Sequence, residues 1–200
     1  MTAAGIAAPS RDSYTTVAIG LHWLIAALAI GQIAGGLYLE GLPESADAER
    51  FQLIQLHKSF GITILLLTLA RLGWRLTHKP PALPAAMPGW QRTMARGVHV
   101  LFYALLLGVP LGGWAMVSAS PLAESVHTYL FGVVPWPHLP FFDGVEDRRG
   151  LTHDIKELHE LGAKIMLALV ILHVGAALKH WLKDRDGVLE SMLPVMRRKS

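Results

Sequence analysis

Between Val17 and Leu39 the chain runs for twenty-three residues without a formal charge, and between Gly97 and Ala123 for twenty-seven. Each run exceeds the ~20 residues with which an α-helix crosses the roughly 30 Å hydrocarbon layer of a bilayer. Two further apolar blocks, near 51–74 and 158–182, are interrupted by only a few charged or imidazole side chains. The expected fold is therefore all-α: an integral membrane four-helix bundle with helices near 17–39, 51–74, 97–120 and 158–182. A tail over 1–16 precedes this 17–182 domain, and a basic tail over 183–200 follows it.

Composition agrees. Charged residues make up 16% of the chain, against about 25% in soluble domains. Cysteine is absent, which excludes disulfides, thiolate metal sites and cysteine-ligated iron–sulfur clusters. No Lys/Arg tract of the kind that grips nucleic acid is present. The first apolar block is too long for a signal h-region, so no cleavable signal peptide is expected.

Tyr14-Thr15-Thr16 offers residues suited to starting the first helix. Prolines 80, 81, 84 and 88 exclude helix from the second connector, and Pro110 with Gly112-Gly113 predicts a kink in the third helix. The long third connector carries PWPHLPFF at 135–142, expected to form an extended aromatic cap, and a solvated charge cluster at Glu146 to Arg149.

An even number of spans puts both ends on one side, and cytoplasmic connectors are the ones enriched in Lys and Arg. The second connector holds Arg75, Lys79, Arg92 and Arg96 with no acid, and the tail adds Lys183, Arg185, Arg197, Arg198 and Lys199. The first connector holds Arg50 alone against Glu40, Glu44, Asp47 and Glu49. Both termini are expected to be cytoplasmic.

The fourth block carries His159 and His173, fourteen residues apart. Along a helix that is about 21 Å, and at about 100° per residue both imidazoles point the same way. The orientation puts His57 and His159 near the outer face and His22 and His173 near the inner one. Two pairs at two depths are what two haems need, each iron taking two axial imidazoles from a helix bundle. A single intramembrane histidine can simply bond to a neighbouring helix. Four that sort into two pairs fit ligation better, because polar groups in lipid are costly. Gly61 and Gly162, one turn from His57 and His159, would leave flat room for a porphyrin or serve close helix packing.

Six histidines are less committed. His78, His127, His138 and His153 fall in connectors, while His99 and His180 sit at inner helix ends, suited to an interfacial role. The third helix carries no ligand in this scheme and is assigned to packing. Lys58, Arg148, Arg149 and Lys164 are candidates for attracting a small anion at the outer face, with snorkelling or pairing with a haem propionate as the other roles for Lys164.

The segments IGLHWL (19–24), QLHKSFG (55–61), KELHELGAK (156–164) and ILHVGAALKHW (171–181), with DGVLESMLP (186–194), closely resemble the bacterial cytochrome b561 family. The resemblance covers nearly the whole chain after about residue 12, with Ser191 where a basic residue is common. It implies two haem b groups held by His22, His57, His159 and His173. It implies, further, electron transfer in the bacterial inner membrane, with superoxide giving electrons at the outer face and ubiquinone accepting them. Two alternatives remain. One is a di-haem subunit passing electrons between a redox partner protein and the quinone pool. The other is a histidine-lined metal transporter, which would show no haem absorption.

Overall fold

The computed structural model describes residues 13–43, 45–84 and 87–193. Arg197, Arg198 and Lys199, the end of the basic tail, and Glu44 of the first connector lie outside them. Four helices dominate: α1 (Thr16–Gly41), α2 (Asp47–Thr77), α3 (Gly89–Ala119) and α4 (Arg148–Lys179). All four are long and apolar enough to cross a membrane. They contain 26, 31, 31 and 32 residues, so each is about 39–48 Å long and overruns a roughly 30 Å core.

The helix ends follow local chemistry. Thr15 caps α1, its hydroxyl accepting from the Ala18 N–H at 3.2 Å, as the Tyr14-Thr15-Thr16 signal predicts. Pro88 is the last residue before α3, a place that tolerates a missing donor. Asp147 caps α4 through the Gly150 N–H at 2.8 Å. Helix α3 runs through Pro110 without a break.

Three helix starts differ from the sequence expectation by four residues or more. Helix α2 starts at Asp47 rather than 51, α3 at Gly89 rather than 97, and α4 at Arg148 rather than 158. The extra turns are polar: hydropathy locates the part of a helix that lies in lipid, and caps locate its end. His153 and Arg149 therefore lie in α4 and not in a loop. The third connector also contains a two-stranded antiparallel hairpin, β1 (Thr128–Leu130) with β2 (Val134–Trp136).

Helix α1 packs on α2, α2 on α3 and α3 on α4, while α1 and α4 approach only slightly and α2 and α4 have no close backbone approach. The bundle thus runs up and down with two loosely closed seams. Few side chains are fully buried: Ile25, Ile62, Ile64, Leu65, Met166 and Leu169 form most of the apolar interior among the described helical residues. Large apolar groups such as Ile30, Val100, Ile171 and Leu172 are instead exposed on the outside, where lipid is the solvent.

Both ends meet at one face. The Tyr14 N–H donates to the Ser191 carbonyl at 3.4 Å, and the Trp23 indole donates to the Met192 carbonyl at 2.9 Å. Between them α4 passes into a π-helical turn, His180–Asp184, ended by Arg185 in a left-handed conformation. This turn brings His180 Nδ1 to 2.6 Å from Asp186. Burial under this end raises the Tyr14 phenol above its ordinary range, with Arg75 and Arg71 acting in opposition.

Candidate functional site: two imidazole layers

At one end of the bundle the rings of His57 (α2) and His159 (α4) lie 6.2 Å apart, centre to centre, at 72°. At the other end His22 (α1) and His173 (α4) lie 6.4 Å apart at 73°. Two imidazoles ligating one metal from opposite sides, through nitrogen–metal bonds of about 2 Å, have ring centres roughly 6 Å apart. Both pairs match that spacing, and both bridge the two seams where the helices stand apart.

The pair at the His57 end is the better prepared. His159 Nδ1 lies 2.9 Å from the Val109 carbonyl. A carbonyl only accepts, so Nδ1 carries the proton and Nε2 keeps its lone pair for a metal. His57 Nδ1 is buried with no hydrogen-bond partner among the described residues. Gln32 donates to the His57 carbonyl at 2.7 Å and ties this turn of α2 to α1. Two glycines crowd the rings. A Cβ on Gly36 would lie 3.7 Å from His57 Cε1, and one on Gly113 would lie 3.2 Å from His159 Cε1.

These differ from the glycines expected to make room. Gly162 faces Val109 of α3, and Gly61 faces Gln32 of α1, so both serve helix packing. The space beside each ring comes from the neighbouring helix at the same depth, not from the histidine's own turn.

The His22 end is richer than its sequence suggests. His99 of α3 has its ring 6.1 Å from that of His173, and Phe102 packs edge-on at 5.2 Å. Helix α3 therefore supplies an imidazole, an aromatic wall and the Val109 carbonyl, more than the packing role first assigned to it. Arg71 Nη1 donates to His22 Nδ1 at 2.9 Å, which places the ring proton on Nε2. Ligation through Nε2 and this Arg71 bond are mutually exclusive. Arg71 and Arg75 also lie 6.0 and 5.8 Å from the centre of the Tyr103 ring.

The candidate anion-attracting cations separate. Lys58, next to His57 in sequence, donates to the Thr128 hydroxyl at 3.2 Å. Arg148 lies 3.5 Å from Asp143. Arg148 and Arg149 line an open groove with Glu124, Glu146 and Asp147, so carboxylates outnumber guanidiniums there. Lys164 is exposed on α4. His138 is held below its ordinary pKa by burial, with Lys58 and His127 adding to the effect. Lys58 remains the cation beside the His57 layer.

The model of one family, the prokaryotic cytochrome b561 proteins, matches residues 13–195. The chain belongs to the prokaryotic cytochrome b561 family. "Cytochrome b561 homolog 2" of Escherichia coli K12 is 30% identical over 183 residues, covering 91% of this chain and 92% of that protein. "Cytochrome b561 homolog 1" of the same organism is 28% identical over 188 residues, covering 94% and 99%. "Probable superoxide oxidase CybB" of Yersinia pestis is 29% identical over 190 residues, again covering 94% and 99%.

As a cytochrome b561 protein, the chain is a bacterial membrane electron carrier of the b-haem type. The donor set suits that group, with the Arg71–His22 bond giving way where His22 ligates through Nε2: imidazoles stand in facing pairs, crowded by glycine and aromatic side chains in an apolar bundle.

Proposed function

We propose that this cytochrome b561 protein binds two b haems, one between His57 and His159 and one between His22 and His173. We further propose that it carries electrons from superoxide to ubiquinone. The observation that carries the reading is the pair of imidazole layers, each near 6 Å ring to ring, set fourteen residues apart on one helix. A relative of nearly equal length named a probable superoxide oxidase supports the substrate.

The electron balance is simple. Two superoxide ions each give up one electron and leave as oxygen, and one ubiquinone takes both electrons with two protons to become ubiquinol. Haem held by these two imidazole pairs would supply one-electron transfer rather than oxygen binding. The residues do the rest. The Val109 carbonyl sets the tautomer of His159, and Lys58 gives the His57 end a local positive charge that steers an anion inward. The basic second connector supports a cytoplasmic placement of the His22 end and of both termini. Superoxide would then arrive from the periplasm.

Under a steady superoxide flux, the purified protein is expected to show rapid growth of the reduced haem α-band, reversed by added ubiquinone. Lys58→Glu is expected to slow that reduction several-fold at low salt, the difference shrinking as ionic strength rises. Haems that stay oxidised under the flux overturn the substrate assignment. Haem reduction only through a co-purifying protein would make the chain a carrier subunit instead.

A further inference from the structure

The connector between α3 and α4 does not have the composition of a water-side loop. From Ser125 to Phe142 it carries no formal charge. At its centre, the β1–β2 hairpin pairs Thr128 with Trp136 and Leu130 with Val134. The reversal puts Phe131 (φ 51°) and Gly132 (φ 73°) in the left-handed region. Glycine adopts that region freely, and a side chain with a Cβ resists it. Contacts with α2 compensate at Phe131. Its N–H donates to Ser59 Oγ at 2.9 Å, and its ring meets the Phe60 ring edge-on at 5.2 Å. The turn is thus bent to lay an aromatic side chain against α2.

The level of that contact is what matters. From Phe60 to the end of α2 at Thr77 is seventeen residues, or about 26 Å along the axis. Arg75 and Lys79 hold that far end at or beyond the edge of a hydrocarbon core roughly 30 Å thick. Phe60, and the hairpin tip against it, therefore lie inside the core, and any helix tilt takes them deeper. At this level Phe131, Val133 and Val134 are 50%, 77% and 53% exposed. They continue the lipid-facing surface of α2.

We infer that the β1–β2 hairpin is re-entrant: its tip, Phe131 to Val134, lodges among the acyl chains of the leaflet at the His57 end. Non-helical backbone is tolerated at such depth only where its polar groups are satisfied and protein backs it. The strands pair with each other, Ser59 takes the Phe131 N–H, and the Thr128 hydroxyl takes a hydrogen bond from Lys58. The hairpin thereby separates the α2 turn that bears His57 and Lys58 from lipid. This inference depends on the membrane fold and is independent of haem occupancy.

The chain has no cysteine, so one introduced thiol is a unique labelling site. Val133→Cys, carrying an environment-sensitive fluorophore, is compared in phosphatidylcholine nanodiscs with Leu172→Cys, exposed on α4, and with Glu146→Cys, exposed in the connector. The label at 133 is expected to emit to the blue, like that at 172. Lipids bearing a nitroxide on the acyl chain should quench it several-fold more strongly than aqueous iodide does. Quenching by iodide as at 146, with nitroxide lipid without effect, overturns the inference and makes the tip a water-side surface, open to a soluble partner. Val134→Cys gives the same comparison if the 133 variant does not accumulate.

Discussion

His57→Ala is expected to leave a membrane protein with roughly half the haem of the parent, because in the proposed ligation each imidazole pair would hold its own iron. His173→Ala should show the same loss at the other end, and the double variant should carry no haem. Haem content by pyridine haemochromogen, with midpoint potentials of what remains, separates these outcomes. The His22 end adds a sharper contrast. Two rings, His22 and His99, stand 6.4 and 6.1 Å from His173. The proposed ligation assigns the axial role to His22, so His22→Ala should lose the haem and His99→Ala should keep it with an altered potential. The reverse result would move the ligand onto α3 and leave the His57 site unaffected. Variants that keep both haems would end the ligand assignment altogether.

Gly113→Leu is expected to empty the His57/His159 site without touching either ligand. A Cβ there already lies 3.2 Å from His159 Cε1 and 3.4 Å from Nδ1. A leucine can enter only by pushing the ring from the Val109 carbonyl or by separating α3 from α4. Overpacking of this kind costs about 1–3 kcal/mol where the structure can relax. Here relaxation displaces the ligand itself, so haem should be lost before the fold is. Gly112→Leu is the control, since a Cβ at Gly112 meets nothing within 4 Å. Haem-to-protein ratio, with monodispersity as the check on folding, decides the matter. Two haems retained in Gly113→Leu would mean that His159 has more freedom than its contacts imply.

The spans and the facing histidines were legible because lipid imposes strict terms on sequence. A charge-free run from Val17 to Leu39 admits few structures, and four histidines at two depths stand out against such a background. What was not legible lies where those terms relax. Polar helix turns beyond the bilayer look like loops, so hydropathy alone starts α3 at 97. That put His99 at a helix end, whereas the true start at Gly89 sets it ten residues in, about 15 Å along the axis. Knowing the Pro88–Gly89 boundary would have shown α3 to be a contributor to the site. The hairpin was hidden for another reason. Strands of three residues, one containing Pro135, carry no periodic signal, and they exist because Ser59 and Lys58 dock them. The contacts of Gly36 and Gly113 with the rings are hidden because those neighbours belong to other helices, and spacing along one helix cannot reveal a partner across a seam.

Helix α4 bears one ring of each pair, so it acts as a gauge whose graduations are residues. Inserting a single alanine between Met166 and Leu169, both buried, would turn His173 about 100° relative to His159. Only one of the two could then meet its partner. Seven inserted residues would restore the angle to within about 20°, yet carry His173 roughly 10 Å beyond His22. Chains built on this plan should tolerate changes of length in their connectors freely and in this fifteen-residue interval hardly at all. A length-variant library scored for cells that retain full haem colour would show the interval as a blank.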